Sequence, residues 1–310
     1  MNLGQYSDQS AQPGLAVNKL VKLENSFPKK EEQQQMGAYF RSLDHLIALH
    51  QRKYNELKKL KKYMQENMFP QKGQTDMSEL ESVIEKRLIE QLCSGESQWT
   101  YRPDLKTEED LWNNFKYILE QNNKAKLDDV PLSESEFAKI KNDLSHASFY
   151  DAGKWLVGEN GKVYVHVQRG NETLHLVVMN NEHVAGGSSV YEVINQYQAF
   201  KDETDEKGRD RRFDVSLLIN GIPMIHIELK NRDHSYIDGY RQIQKYIAEG
   251  KFHGIFSNVQ MFVVSNAVDT KYFSAARDTE KKFLTGWIDN ENHPVCDYID
   301  FAKAVLRIPE

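Results

Sequence analysis

Apolar and polar residues alternate along two neighbouring segments of the chain, 212–219 and 223–230. The first segment has apolar side chains at Phe213, Val215, Leu217 and Ile219, and the second has them at Ile225, Ile227 and Leu229. A period of two is typical of β-strands with one face in the core. Similar patterns predict further strands at 162–168, 173–180 and 259–265. The remaining periodic segments predict helices at 78–93, 107–122, 134–146, 188–200 and 235–249.

The link between the two alternating strands decides which face their polar residues share. A two-residue turn at Asn220-Gly221 would put the two apolar sets on opposite faces of the sheet. A three-residue loop, with Gly221 in a left-handed conformation, would put both sets on one face. That loop would also bring Asp214 to the face that carries Glu228 and Lys230. We therefore predict the three-residue loop, because burial of the apolar residues favours it.

Asp214, Glu228 and Lys230 form a candidate catalytic cluster on this hairpin. Two carboxylates that converge on one point repel each other unless a cation lies between them, and oxygen ligands suit Mg²⁺ or Mn²⁺. Lys230 would polarise a water or stabilise charge on a phosphate. This chemistry predicts phosphodiester hydrolysis. The alternative is a solvated strand face with a weak surface ion pair, which the Glu-x-Lys spacing alone favours.

The predicted helix at 235–249 follows the cluster and is amphipathic. Gln242 and Tyr246 lie four residues apart, so both project from one face of this helix. The alternative is that Tyr246 is a core residue with Gln242 at its rim. The chain carries a net charge of −6, so any DNA contact must rely on local basic residues. The candidates near the cluster are Arg211, Arg212, Arg232, Arg241 and Lys245.

These motifs resemble the amino-terminal nuclease domain of type I restriction enzyme motor (R) subunits, a family with a PD-(D/E)xK site and a Q-x-x-x-Y motif. The segment DVSLLINGIPMIHIELK carries the first motif, and Gln242-x-x-x-Tyr246 matches the second. The resemblance continues in SELESVIEKRLIEQL and FVVSNAVDTKYF and covers about 75–310. It implies an endonuclease that acts on DNA and depends on Mg²⁺ or Mn²⁺.

The resemblance also implies a role for each matching residue. Asp214, Glu228 and the backbone carbonyl of Leu229 would bind the divalent ion. Lys230 would orient or activate the attacking water. The Q-x-x-x-Y pair would be needed for cleavage, either by contacting DNA or by supporting the site.

A further acid is expected from the first helix of this domain. Glu85 falls where related nucleases place another metal-linked acid. Glu79, Glu81 and Glu90 are alternatives, and each of these acids could equally lie on a solvated helix face.

R subunits continue into an ATP-driven DNA translocase, so the resemblance implies ATP as a cofactor of the full-length family. The present sequence contains no G-x-x-x-x-G-K-[ST] phosphate loop. The segment 158–162 has too few residues between its glycines and is predicted to be a hairpin turn. The expected function is therefore that of the endonuclease domain without an ATP site.

A separate unit is predicted before the nuclease domain. Apolar residues from Met36 to Met68 recur at spacings of four and three, which is a heptad seam broken at His50 and Lys61. A helix with such a seam needs a partner helix. EEQQQMGAYFRSLDHLIALHQRK resembles the carboxy-terminal helix of type I specificity (S) subunits, and this resemblance covers about 9–69. It implies docking to methyltransferase and specificity subunits, and self-association through the 33–68 helix.

The predicted organisation combines both resemblances. It consists of a remnant of a target-recognition domain at 1–32, a coiled-coil helix at 33–69, a polar linker at 70–77 and a nuclease domain at 78–310. The expected fold class is α/β, with a restriction-endonuclease-like mixed β-sheet flanked by helices. The helix at 235–249 would connect two parallel strands of this sheet. The alternative function is a non-catalytic docking module that acts through the amino-terminal helix.

The amino-acid composition limits the class of protein and the kinds of site that we expect. Hydrophobic residues make up 39% and charged residues 28% of the chain, as in a soluble protein. Cys93 and Cys296 are too distant in sequence to suggest a disulfide framework or a zinc site. No apolar run approaches a membrane span, and the first residues do not resemble a signal peptide. We therefore expect a cytoplasmic protein without membrane contacts.

Overall fold

The computed structural model describes residues 29–40, 81–95, 98–180, 189–200 and 209–308, together with seven helical positions between 43 and 58. The chain divides into two units, Met1–Thr75 and Asp76–Glu310. In the first unit residues 30–40 are helical. The predicted linker at 70–77 lies outside the described residues, as does most of the predicted tail at 1–32. The coiled-coil pairing of the 33–69 helix stays a prediction.

The second unit alternates helices and strands. Its α-helices are α1 (Glu81–Cys93), α2 (Glu108–Asn122), α3 (Glu134–Leu144), α4 (Phe149–Val157), α5 (Tyr236–Ala248) and α6 (Tyr298–Phe301). Its strands are β1 (Thr100–Tyr101), β2 (Lys162–Arg169), β3 (Glu172–Asn180), β4 (Tyr191–Ala199), β5 (Arg211–Ile219), β6 (Ile222–Leu229), β7 (Met261–Ser265), β8 (Thr270–Ser274), β9 (Trp287–Ile288) and β10 (Pro294–Val295). No helix in the described ranges has the length and apolar character needed to cross a membrane.

Side-chain caps fix where the helices of the second unit begin. At α2, Thr107 accepts a hydrogen bond from the backbone of Asp110, and the Asp110 side chain accepts one from the backbone of Thr107. Ser133 and Glu136 form the same reciprocal pair at α3. Such capping boxes satisfy backbone N–H groups that have no partner within the helix.

A mixed six-stranded sheet, in the order β1-β4-β5-β6-β7-β8, organises the second unit. β6 pairs in parallel with β7, and α5 connects them, so the predicted crossover is confirmed. The helix predicted at 188–200 is wrong, because Tyr191–Ala199 form strand β4. Val193 and Ile194 are adjacent in sequence and both fully buried. A strand covered on both faces loses the alternation that would have revealed it.

The hairpin between β5 and β6 has the predicted register, but its turn differs from the predicted one. Asn220 and Gly221 both have positive φ, 50° and 79°, and form a two-residue turn, so the predicted three-residue loop is wrong. The ladder then shifts: Leu218 pairs with Pro223, whereas Leu217 pairs with Ile225. The extra residue forms a β-bulge, which shifts the pairing by one residue. The apolar side chains of β6 therefore lie on the same face of the sheet as those of β5, as the apolar pattern requires.

Both faces of the central strands are covered. Val215, Leu217 and Ile227 pack against α1 and α6 in one core cluster. The opposite face packs against α2, α3 and α5 in a second, larger cluster. The expectation of a half-buried sheet is therefore wrong, since Ser216 and His226 on the polar side are at most 1% exposed. The helix α5, which follows β6, closes this face.

The segment 158–162 forms the predicted turn. The backbones of Glu159 and Lys162 exchange two hydrogen bonds, with N–O distances of 2.9 and 3.0 Å. Gly158 has a φ of 64°, and a Cβ at this position would lie 2.3 Å from the Lys162 carbonyl oxygen. Glycine is therefore required for the tight turn that leads into β2.

Candidate active site

Asp214 and Glu228 come together because β5 and β6 are paired. The ladder places Val215 opposite Ile227, and the same register places Asp214 opposite Glu228. Asp214 Oδ2 accepts a hydrogen bond from the Leu229 backbone N–H at 2.8 Å. The Glu228 side chain is fully buried. Gly239 of α5 packs against Glu228, since a Cβ at this position would be in van der Waals contact with Glu228 Cγ at 3.5 Å.

The two carboxyl groups share an environment that disfavours their charge. Burial raises the pKa of Asp214 to about 8, and the neighbouring Glu228 carboxylate adds to this shift. Burial also raises the pKa of Glu228 to about 7, although Lys230 opposes the change. Two coupled acids of this kind do not ionise together easily. Near neutral pH the pair retains a proton unless a cation compensates its charge.

Lys230 is the cation within this cluster. Its Nζ donates hydrogen bonds to Glu228 Oε1 and to the Leu229 carbonyl oxygen, both at 2.8 Å. Burial opposes the charge of the ammonium, but the carboxylates of Glu228 and Asp214 outweigh burial and raise the pKa of Lys230. The ammonium therefore contacts two of the three groups predicted to bind metal.

His226 belongs to the same cluster, although sequence reasoning gave it no role. It is fully buried, and its Nε2 lies 3.6 Å from Glu228 Oε2. Burial lowers the pKa of His226 to about 4, so the imidazole is neutral at physiological pH. The sequence did contain a signal for this residue, because His226 is titratable and lies two positions before Glu228, on the same face of the strand.

Gln242 and Tyr246 of α5 lie beside the acids, as the helical spacing predicts. Gln242 Nε2 donates a hydrogen bond to the Tyr246 hydroxyl at 2.6 Å. Burial raises the pKa of Tyr246 to about 12, with a further contribution from the charge of Glu228. The Tyr246 ring stacks on Phe213 with 5.6 Å between centroids. Tyr246 is therefore both a core residue and a neighbour of the carboxylates.

Glu85 has partners on β4. It is 8% exposed and accepts a hydrogen bond from Asn195 Nδ2 at 2.6 Å and another from Gln196 Nε2. Gln196 has a φ of 55°, which is rare for a residue within a strand. The Glu85 carboxylate is thus held by two side-chain amides of the strand next to β5.

Of the two alternatives to Glu85 that the structure describes, Glu81 and Glu90, Glu81 is the one in contact with the cluster. Glu81 Oε1 is 4.0 Å from Lys230 Nζ, and 45% of its side chain is exposed. Glu90 pairs with Lys86 on the exposed surface of α1, at 3.8 Å. Glu79 lies outside the described residues. Of the acids described on α1, Glu81 therefore has the position from which it can approach a ligand beside Lys230.

The five predicted DNA-contacting residues differ in their surroundings. Arg211 pairs with Glu249, with 2.6 Å between Nε and Oε2, and its Cζ lies 5.7 Å from the centroid of the Tyr246 ring. Arg211 is thus tied to α5 and is not freely available to a ligand. The side chains of the other four residues are exposed (Arg212, Arg232, Arg241 and Lys245), and Arg241 also pairs with Asp238 at 3.0 Å.

The donor set of this cluster fits a hard divalent cation. Within the described ranges, no group of three or more His, Cys, Asp or Glu residues is arranged around a metal position. Mg²⁺ commonly binds through one or two carboxylates and keeps several waters, so Asp214 and Glu228 are sufficient protein anions. Glu228 Oε2 is buried and has no hydrogen-bond partner among the described residues. The ionised form of two adjacent buried carboxyl groups with raised pKa values is what cation binding would stabilise.

Comparison with known proteins decides the family. Residues 78–281 match the family described as type I restriction enzyme R protein N terminus. The chain belongs to this family. The match includes the cluster and the Gln242–Tyr246 pair, and the R-subunit resemblance of the nuclease region is thereby confirmed.

Curated relatives carry the corresponding names. The type I restriction enzyme SsaAORF53P endonuclease subunit of Staphylococcus saprophyticus is 27% identical over 230 residues, which is 73% of this chain and 23% of the relative. The SauCOLORF180P endonuclease subunit of Staphylococcus aureus is 26% identical over the same shares. The EcoprrI endonuclease subunit of Escherichia coli is 32% identical over 118 residues, which is 36% of this chain and 38% of that protein. The chain thus spans less than two fifths of each.

Proposed function

We propose that this R-subunit nuclease region is a divalent-metal-dependent DNA endonuclease that hydrolyses phosphodiester bonds within a type I restriction system. The observation that carries the proposal is the convergence of Asp214 and Glu228, with the Lys230 ammonium 2.8 Å from Glu228 Oε1. The names of the relatives, all endonuclease subunits, support the same reaction class.

Each residue of the cluster has a distinct chemical task in this proposal. Asp214, Glu228 and the Leu229 carbonyl would hold Mg²⁺ or Mn²⁺. A bound ion of this kind supplies Lewis acidity to a phosphoryl oxygen and lowers the pKa of a coordinated water. Lys230 would orient the attacking water or stabilise charge on the phosphate. Tyr246, held by Gln242, would support the carboxylates from α5.

DNA would approach along the exposed basic residues next to the cluster. Arg212, at the start of β5, and Arg241 and Lys245, on α5, would hold the phosphate backbone by charge. Arg211 would instead fix α5 through Glu249. ATP-driven translocation and the methyltransferase and specificity partners belong to the proposal for the complete enzyme.

Plasmid nicking in Mg²⁺ tests the proposal. Wild type should nick, and Asp214→Asn and Lys230→Ala should each reduce the rate on the order of 100-fold, as expected when several kcal/mol of charge stabilisation are lost. Asp300→Asn and Lys303→Ala are matched controls, since these residues form an exposed ion pair at 3.3 Å at the end of α6. Nicking that survives both site substitutions would refute the assignment.

We also propose that the amino-terminal helix docks onto a partner helix. The apolar residues Met36, Tyr39 and Phe40 are 50%, 64% and 58% exposed in the single chain. Exposed apolar side chains at helical spacing mark a surface that another helix can cover. Sedimentation of the full chain should therefore show self-association that deletion of 1–74 abolishes. A monomeric full chain that also fails to bind the methyltransferase subunit would contradict this role.

A further inference from the structure

Two buried polar atoms face each other beneath the carboxylate cluster. His226 Nε2 and Glu228 Oε2 are 3.6 Å apart, and both side chains are fully buried. Neither atom has a hydrogen-bond partner within the described part of the chain. Leaving a buried polar atom without a partner costs about 1–3 kcal/mol, and more for a charged group. The pairing of these two atoms would remove that cost on both sides.

Three aromatic rings surround the imidazole of His226. Its ring lies against Phe213, Phe252 and Phe262, with centroid distances of 4.7, 5.5 and 6.2 Å. These rings hold the imidazole in one orientation and present no polar group to Glu228 Oε2. The imidazole is therefore placed to donate to this oxygen from the core, in addition to the side-chain hydrogen bond that Glu228 makes with Asp214.

The position of the ring hydrogen decides whether His226 can do so. His226 Nδ1 lies 3.2 Å from Ser216 Oγ, and Ser216 faces His226 across the β5–β6 ladder. If the serine hydroxyl donates to Nδ1, the ring hydrogen is on Nε2 and points to Glu228. In the competing arrangement the hydrogen is on Nδ1, and Ser216 Oγ or the nearby Val215 carbonyl accepts it. Lone pairs of Nε2 and an ionised Glu228 would then repel each other.

We propose that His226 is a positioning residue for Glu228: Ser216 holds it as the Nε2–H form, and the 3.6 Å separation shortens to a hydrogen bond from Nε2 to Oε2 when the ionised Glu228 binds its cation. This inference rests on the proposed function, in which the ionised Glu228 binds a divalent ion. The hydrogen bond would fix Oε2 against the core and leave Oε1, which Lys230 contacts, directed to the site. Partners that orient a metal ligand in this way typically change metal affinity by about 10- to 100-fold.

Nitrogen NMR of histidine-labelled protein tests the tautomer without any substitution. In the full chain with saturating Mg²⁺, His226 should show the hydrogen on Nε2. Ser216→Ala should shift the population toward the Nδ1–H form, because the donor to Nδ1 is lost. A predominant Nδ1–H form in wild type would overturn the inference, whatever the effect of substitutions on stability.

Mn²⁺ titration then separates positioning from packing. His226→Leu should weaken Mn²⁺ binding about 10- to 100-fold, whereas His226→Gln, which restores a donor near the Nε2 position, should bind within about threefold of wild type. His146→Leu is a matched control, since His146 also has a buried Nε2 without a partner among the described residues but packs against Trp155. Equal weakening by the Leu and Gln variants would contradict a positioning role.

The same titration distinguishes failure of this inference from failure of the proposed function. If Glu228→Gln loses Mn²⁺ and His226→Leu does not, the metal site stands and the positioning role is refuted. If Glu228→Gln binds Mn²⁺ as wild type does, the metal site itself is refuted and the positioning role with it.

Discussion

The Asp214 carboxylate is tied to the backbone of Leu229, with 2.8 Å between Oδ2 and the amide nitrogen. This hydrogen bond joins β5 to β6 at the point where Lys230 continues the chain beyond β6. It holds one oxygen of Asp214 in place and brings the carboxylate beside Glu228. Asparagine can accept the same hydrogen bond, so Asp214→Asn removes the charge of this group while preserving its strand contact.

The raised pKa values make the stability of the metal-free protein depend on pH. Folding raises the pKa of Asp214 from 3.8 to about 8 and that of Glu228 from 4.5 to about 7. The folded state therefore binds protons that the unfolded state has released, and the free energy of unfolding falls as pH rises through this range. Denaturant unfolding in EDTA at about pH 5 and about pH 8 should show the loss.

Two comparisons control that measurement. Asp214→Asn and Glu228→Gln should each flatten the pH dependence, because each removes one acid of the pair. Saturating Mg²⁺ should also restore stability at the higher pH, since the ion binds the charged carboxylates. Stability that rises with pH in wild type without metal would contradict the assigned environment.

Lys230 competes with a divalent ion for the same oxygens. Its ammonium contacts Glu228 Oε1 and the Leu229 carbonyl, so an entering ion must displace these two hydrogen bonds. Lys230→Ala should therefore bind Mn²⁺ about tenfold more tightly by calorimetry, since a charge-assisted hydrogen bond contributes about 1.5–3 kcal/mol. The same variant should lose nicking activity. Weaker Mn²⁺ binding, with Lys303→Ala unchanged, would show that Lys230 supports the ion instead of competing with it.

The Tyr246 hydroxyl can be separated from the Tyr246 ring. Tyr246→Phe keeps the stacking on Phe213 but removes the group that accepts from Gln242. The loss should cost about 1 kcal/mol of unfolding free energy, as for one hydrogen bond. If the hydroxyl supports the carboxylates, nicking should fall about tenfold. Full activity in this variant, at the expected stability, would leave Tyr246 with a core role alone.

Sequence periodicity predicted the strands and the helix that position the cluster. The helix expected at 235–249 spans Tyr236–Ala248, and the two central strands begin and end within one residue of their predicted positions. The hydrophobic patterns of these elements are strong, and the residues at which the patterns stop are clear from the sequence. The register that joins Asp214 to Glu228 was also predictable, because it places the apolar residues of both strands on the same face.

The remaining features depend on contacts that are distant in sequence. The β-bulge opposite Leu217 and Leu218 leaves no signal in the Asn220-Gly221 turn. β4 was mistaken for a helix because burial on both faces hides its alternation. The ion pair between Arg211 and Glu249 could not be predicted, because the two residues lie 38 positions apart in sequence. His226 was passed over because its aromatic neighbours come from separate segments of the chain.

Anomalous diffraction from crystals soaked in Mn²⁺ would locate the ion that Asp214 and Glu228 are proposed to share. We expect one strong anomalous peak in contact with a carboxylate oxygen of Asp214 and one of Glu228, at about 2.1 Å as in hard-cation sites. The peak should disappear in Asp214→Asn crystals. The absence of a peak beside these two carboxyl groups in crystals soaked at about pH 8, or a peak only elsewhere on the chain, would contradict the proposed metal site.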